Sequence, residues 1–226
     1  MESVDAHEDQ SSKGWIILVA LFYLAWTIRA TLLYPIDRSI ESEAMATLYS
    51  QTVRIALWIV PVFLYLKLAD SVSPLRYLKL TTRPRRVIEC AMLIAAYFTS
   101  MWALENLMAG RSLFQLRSVN EIISLKTLLL PLAPIAEEIF FRGFVLRKLG
   151  ERISFWKANL TTSLLFVLIH WPNWLYTGGF QMGRVRDSAA IFLLGCFLGF
   201  LVRRTDSLWP AITAHSLNNF IAMFLR

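Results

Sequence analysis

Histidine, cysteine and charge are all scarce in this chain: three His, two Cys and 17% Asp, Glu, Lys and Arg among 226 residues. The two cysteines, Cys90 and Cys196, lie in separate apolar runs, which excludes a disulfide framework and a Cys-rich metal centre; they read as small packing residues. No HExxH is present, so the usual zincin signature is missing. Nine glycines and eight prolines are too few and too scattered for a linker or a phosphate-cradling loop. Residues 1–13 are polar and acidic with no basic stretch ahead of the first apolar run, which argues against a cleavable secretory signal.

What is abundant is apolar surface. Hydrophobic residues make up 56% of the chain and the mean hydropathy is +0.51, too apolar for an ordinary soluble domain. The expectation is an all-α, multi-pass membrane bundle. It has a polar tail at 1–13 and a single membrane domain at 14–226. About seven segments (six to eight) can be drawn, near 14–34, 51–72, 87–109, 122–146, 154–174, 187–202 and 207–225. The sixth is short and reads as tilted, re-entrant or buried. Arg29, Arg54, Lys67, Asp70, Glu89 and Glu105 fall towards segment ends, where long side chains reach headgroups. The net charge of +7 comes largely from Lys and Arg in short loops: 76–86, 147–157 and 203–204. That is a membrane-topology pattern placing the N-terminus in the cytoplasm, and it points to the lipid bilayer as partner, with no nucleic acid. Residues 172–186, rich in Trp, Tyr, Phe and Gly, read as an interfacial loop. Gly195 and Gly199 have the small-xxx-small spacing of close helix packing.

Segment four holds the anomaly. Residues 128–146 read LLLPLAPIAEEIFFRGFVL, with two carboxylates and a guanidinium inside a run long enough to cross a bilayer. A charge at mid-membrane costs roughly 2.5–3.5 kcal/mol even on the mildest scale, so partners or a wet cavity are required. Glu138 and Arg142, four apart, share a helix face and should pair; Glu137, about 100° away, is left free. Pro131 and Pro134 mark a helix start or kink just before the acids. Two further segments bring a histidine each: FVLIH puts Phe166 and His170 on one face, and HSLNN does the same for His215 and Asn219.

EEIFFR at 137–142, FVLIH at 166–170 and HSLNN at 215–219 resemble, in order, the EExxxR, FxxxH and HxxxN motifs of the CAAX-processing and bacteriocin-processing (Abi, Rce1-like) glutamic-type intramembrane proteases. The resemblance covers about residues 125–225. It implies peptide-bond hydrolysis in or near the membrane. By matching positions, Glu137 and His170 would activate water, His215 and Asn219 would stabilise the oxyanion, and Glu138, Arg142 and Phe166 would support them. It implies a membrane-associated peptide or protein tail as substrate. The missing HExxH leads to the expectation of no cofactor, and the small size and charged loops to that of a bacterial inner membrane.

Two rival readings stay open at this point. A zinc version of the same protease would take Glu137, His170 and His215 as ligands. A non-catalytic scaffold or immunity partner would keep the constellation for packing or ligand binding.

Overall fold

The computed structural model describes residues 2–81 and 131–224, together with isolated helical positions at 90, 94, 96, 98–100, 103, 107 and 129. The expected third segment, the first part of the fourth, and Arg83, Arg85 and Arg86 of the first basic loop lie largely or wholly outside the described residues. All regular elements among the described residues are helical.

Helix α1 runs Glu2–Ala30, so the polar residues before Lys13 lie on the same helix as the first apolar run. A short α2, Tyr34–Ser39, leads to α3, Glu43–Leu68. This last begins eight residues before the expected segment at 51. Its first two turns, EAMATLYS, are too polar to register as membrane-spanning by composition. Within α3 the stretch Ile55–Ile59 is a π turn, in which Val60 N–H bonds to Ile55 O. Pro61 follows at once; its ring has no N–H for the carbonyl of Leu57 and would crowd it, and the wider turn carries the helix past.

After α4, Pro74–Tyr77, the described chain resumes at Pro131, where a turn opens α5. The helix start expected at this proline is present. Helix α5 comprises Leu132–Glu138, a π turn Ile139–Val145 and Leu146–Gly150. Helix α6, Phe155–Leu168, is followed by α7, Trp171–Gly178. The aromatic stretch expected to be a loop is therefore helical in its first half, with Pro172 in its opening turn and Gly179 (φ 66°) ending it. Helix α8, Met182–Thr205, corrects the short sixth segment: it has 24 residues and contains an 18-residue stretch of mean hydropathy 1.8, long and apolar enough to span. Helix α9 is Trp209–Phe224. Lys13–Ala30 and Glu43–Leu68 also meet the length and hydropathy of a span.

Helices α6 and α8 pack along their lengths, and the glycines decide how closely. A Cβ on Gly199 would fall 1.9 Å from Asn159 Oδ1, and one on Gly195 3.0 Å from Arg142 Nη2. The core is aromatic: Phe22, Trp58, Phe140, Phe141, Phe144 and Phe166 are all buried, with Phe22 and Phe140 rings 4.0 Å apart. Tyr23 and Trp26 on α1 donate to the carbonyls of Leu165 and Ile169, stitching α1 to the end of α6.

The basic loops gather at one end of the bundle. Lys148 Nζ is 2.8 Å from Asp70 Oδ2, Lys79 Nζ is 2.9 Å from Asp206 Oδ2, and Arg147 donates to the carbonyl of Tyr77. Tyr77 donates to Glu151 Oε1 (2.7 Å), and its burial together with that carboxylate pushes its phenol well above the ordinary tyrosine range. Trp209 Nε1 donates to Leu80 O (2.9 Å), closing α9 onto the same end. Glu137 lies eleven residues along α5 from Lys148, a rise of about 16 Å. The acidic pair is thus deep in the bundle, away from the basic rim.

Candidate active site

Helix α5 carries both acids into the core between α3, α9 and α6. Glu138 and Arg142 are fully buried, and Arg142 Nη1 donates to Glu138 Oε1 at 2.9 Å, the i,i+4 pair expected from spacing. The same oxygen faces His215 Nδ1 at 2.8 Å. A carboxylate oxygen only accepts, so Nδ1 carries its hydrogen and Nε2 points onward. Nε2 lies 3.7 Å from Glu137 Oε2. That gap is too long for a direct hydrogen bond, and a single water about 2.8 Å from each atom would touch both.

Glu137 is not free. Arg54 Nη1 is 2.5 Å from Glu137 Oε1, and the two are only slightly exposed. This corrects two expectations together. Arg54 does not reach for headgroups, because α3 begins at Glu43 and puts Arg54 near its middle; and segment four is not alone in carrying charge at mid-span. The site holds two acids and two guanidiniums, so its formal charge closes without outside ions.

Phe166 organises the imidazoles. Its ring is 5.4 Å from that of His170, 5.6 Å from that of His215 and 4.4 Å beneath the Arg142 guanidinium. A desolvated cation over an aromatic face is worth about 2 kcal/mol or more. That matters because Arg142 Nε and Nη2 have no hydrogen-bond partner among the described residues. His170 lies in the turn after α6, with Nδ1 3.1 Å from the Phe166 carbonyl. A carbonyl accepts only, so this Nδ1 also carries the hydrogen and Nε2 keeps its lone pair. Trp174 of α7 packs against the ring at 5.5 Å. Both imidazoles are therefore anchored through Nδ1–H and present Nε2.

The residues singled out from sequence are not all brought into contact. Glu137, Glu138, Arg142, Phe166 and His215 form one connected group, and His170 joins it through Phe166. The imidazole within 4 Å of Glu137 is that of His215. Asn219 sits one turn beyond His215 on α9, and its Oδ1 accepts from Asn218 at 3.4 Å. Arg54 is the polar residue that sequence reading missed. Its signal was a guanidinium followed directly by an apolar run, IALWIVPVFLYL, with nothing in local spacing to name its partner. Among the described residues no three His, Cys, Asp or Glu side chains are grouped to hold a metal ion.

Residues 119–221 match the family described as type II CAAX prenyl endopeptidase Rce1-like. This part of the chain is similar to that family. The matched region takes in Glu137, Glu138, Arg142, His170, His215 and Asn219, and leaves out Arg54. The chain is also 27% identical over 93 residues to the "Putative membrane peptidase YdiL" of Bacillus subtilis (strain 168). That match covers 41% of the chain and 33% of the relative, so the chain spans about a third of that protein's length. No solved structure matches. The match to an endopeptidase family thus covers the stretch that carries the acids and imidazoles, and three helices among the described residues are long and apolar enough to cross a membrane.

Proposed function

We propose that the chain is an intramembrane endopeptidase that cleaves a membrane-associated peptide or protein tail, with Glu137 as the base that takes a proton from the attacking water. The observation that carries this reading is a carboxylate oxygen and an imidazole nitrogen facing each other across a gap that fits one water: Glu137 Oε2 and His215 Nε2, 3.7 Å apart inside an apolar bundle. Water held between a carboxylate and an imidazole is a stronger nucleophile than bulk water, and an amide carbonyl requires one. His170, with its lone pair on Nε2, completes the polar lining.

The tetrahedral oxyanion that follows calls for donors. His215 donates from Nε2 only as imidazolium, and Glu138 beneath Nδ1 is its counter-charge; the Asn219 amide adds a second donor one turn away. One such donor in a water-poor site is worth about 2.7–4 kcal/mol of barrier. Return of the proton from Glu137 to the leaving amine ends the cycle. Glu138 and Arg142 touch no reacting atom and hold His215 in place.

What supports a metal-free version is the occupancy of the donors. Arg54 already sits on Glu137 Oε1, so a divalent cation bound to that carboxylate would lie beside a guanidinium and be repelled by it. No step of the proposed reaction runs through a metal. The test compares the membrane peptides of cells carrying wild type, Glu137→Ala and Glu137→Gln. A tail peptide that is shortened only with wild type is the expected result. Equal peptide profiles together with a biological effect kept by Glu137→Gln would replace the protease with a scaffold or immunity partner.

A further inference from the structure

Of the groups that meet at the candidate site, Arg54 alone comes from outside the Rce1-like stretch and outside every motif in the sequence. It is held as a built part of that site. The π turn of α3 begins at the residue after Arg54, the π turn of α5 begins at the residue after Glu138, and the two irregular turns pack against each other. Such turns redirect side chains that a regular helix would send elsewhere, and they concentrate at working sites. Trp26 and Trp58 flank the guanidinium at 5.6 and 5.8 Å, fixing its direction.

We infer that Arg54 is a positioning residue of this peptidase: by holding Glu137 Oε1 it presents Oε2 to His215 Nε2 and supplies the counter-charge that lets Glu137 enter the reaction as a carboxylate. The inference rests on the proposed function. Glu137 faces Arg54, Glu138, Arg142, His215 and His170 from the four elements around it. Arg142 is committed to Glu138, so without Arg54 two adjacent buried carboxylates would share one guanidinium. A buried acid without a counter-charge takes up a proton, and an acid already protonated cannot accept another from water. The N-terminal helices then do more than span the bilayer: α3 completes a site that residues 119–221 leave open.

The experiment measures Arg54→Met and Arg54→Lys beside wild type and Glu137→Ala. The probe is a quenched fluorescent peptide spanning the cleavage position mapped in wild-type membranes, and rates are normalised to folded protein. Arg54→Met is expected to lower kcat at least about tenfold with KM little changed. Arg54→Lys, which keeps the charge and loses the planar fork, is expected to fall between it and wild type. Wild-type kcat in Arg54→Met overturns the inference, and so does a rate above wild type, which would make Arg54 a lock on Glu137. If Arg54→Met does not fold, Arg54→Lys decides, because wild-type kcat there is incompatible with positioning by the fork. Cleavage surviving in Glu137→Ala would instead bring down the peptidase proposal itself.

Discussion

Replacing Arg142 with Met tests whether the site is held by charge or by packing. Arg142 and Glu138 are both 0% exposed, and the side chain of Met has nearly the length of the Arg stem, so the substitution removes charge with little change of volume. It leaves Glu138 buried with only the His215 Nδ1–H as partner. Breaking one side of a buried ion pair costs about 3–5 kcal/mol, whereas removing both charges together is often close to neutral. Loss of the guanidinium over Phe166 belongs to the same cost and is not added to it. Arg142→Met should therefore lose about 3–5 kcal/mol, and Glu138→Gln/Arg142→Met should regain most of it, since the new amide oxygen still accepts from His215. Reversible unfolding in mixed detergent micelles, followed by the fluorescence of the eight tryptophans, reads both values. The single variant staying within about 1 kcal/mol of wild type, or the double variant being no better than the single, would refute the assignment of Arg142 as the counter-charge of Glu138.

The same unfolding assay reads two further sites. Gly199→Ala drives Asn159 off the Cys196 carbonyl it donates to at 2.9 Å. Overpacking of about 1–3 kcal/mol and a lost hydrogen bond of about 1 kcal/mol outweigh the roughly 1 kcal/mol that Ala gains over Gly in a helix. Adding Asn159→Ala should return part of the loss, and additive losses would count against the close contact. Asp70→Asn weakens the partner of Lys148 at the basic end and should cost about 1.5–3 kcal/mol while cleavage per folded molecule stays at the wild-type rate. A fall in that rate would mean that the basic end and the site are coupled.

How much of this was legible in the sequence depended on whether partners were neighbours in the chain. Glu138 and Arg142 were paired correctly because four residues on a helix is a local distance; the Pro131 turn and the apolar spans were likewise written in short stretches. Glu137 was assigned no partner because its partner lies 83 positions away, and no spacing rule spans such a gap. The amphipathic opening of α3 compounded the miss. With the helix thought to begin at 51, Arg54 looked like an end residue; begun at Glu43, the same helix buries it. Helices α7 and α8 were misjudged for a related reason. The aromatic and glycine content of 172–186 was read as an interfacial loop, although Pro172 and Gly179 stand at the start and stop positions these residues favour in a helix, and the charges in GRVRD hid the first turns of α8. Composition finds the parts of a membrane helix that face lipid. The parts that build a site are polar, interrupted or flanked by proline, and composition discards them.

The physical consequence is a division of labour within one bundle. Residues 119–221 carry the acids and imidazoles, and their ion pair is closed locally within α5. The second guanidinium arrives from α3, bracketed by two tryptophans, at the one depth where both helices depart from α geometry. A regular helix at either position would change the register of every residue beyond it by one place, turning Arg54 or Glu137 away from the other relative to the packed remainder of its helix. Removing one residue from the α3 π turn, for example by deleting Leu57, takes out the extra residue, so the i→i+5 bond of Val60 to Ile55 becomes an ordinary i→i+4 bond and the Arg54 and Tyr65 halves keep their present register. If register is what aligns Arg54 with Glu137, that deletion should keep kcat within about threefold of wild type, unlike Arg54→Met, while circular dichroism retains the helical content. A deletion variant that keeps its helices but falls to the Arg54→Met rate would show that the shape of the π turn itself, and not the register it preserves, aligns the site.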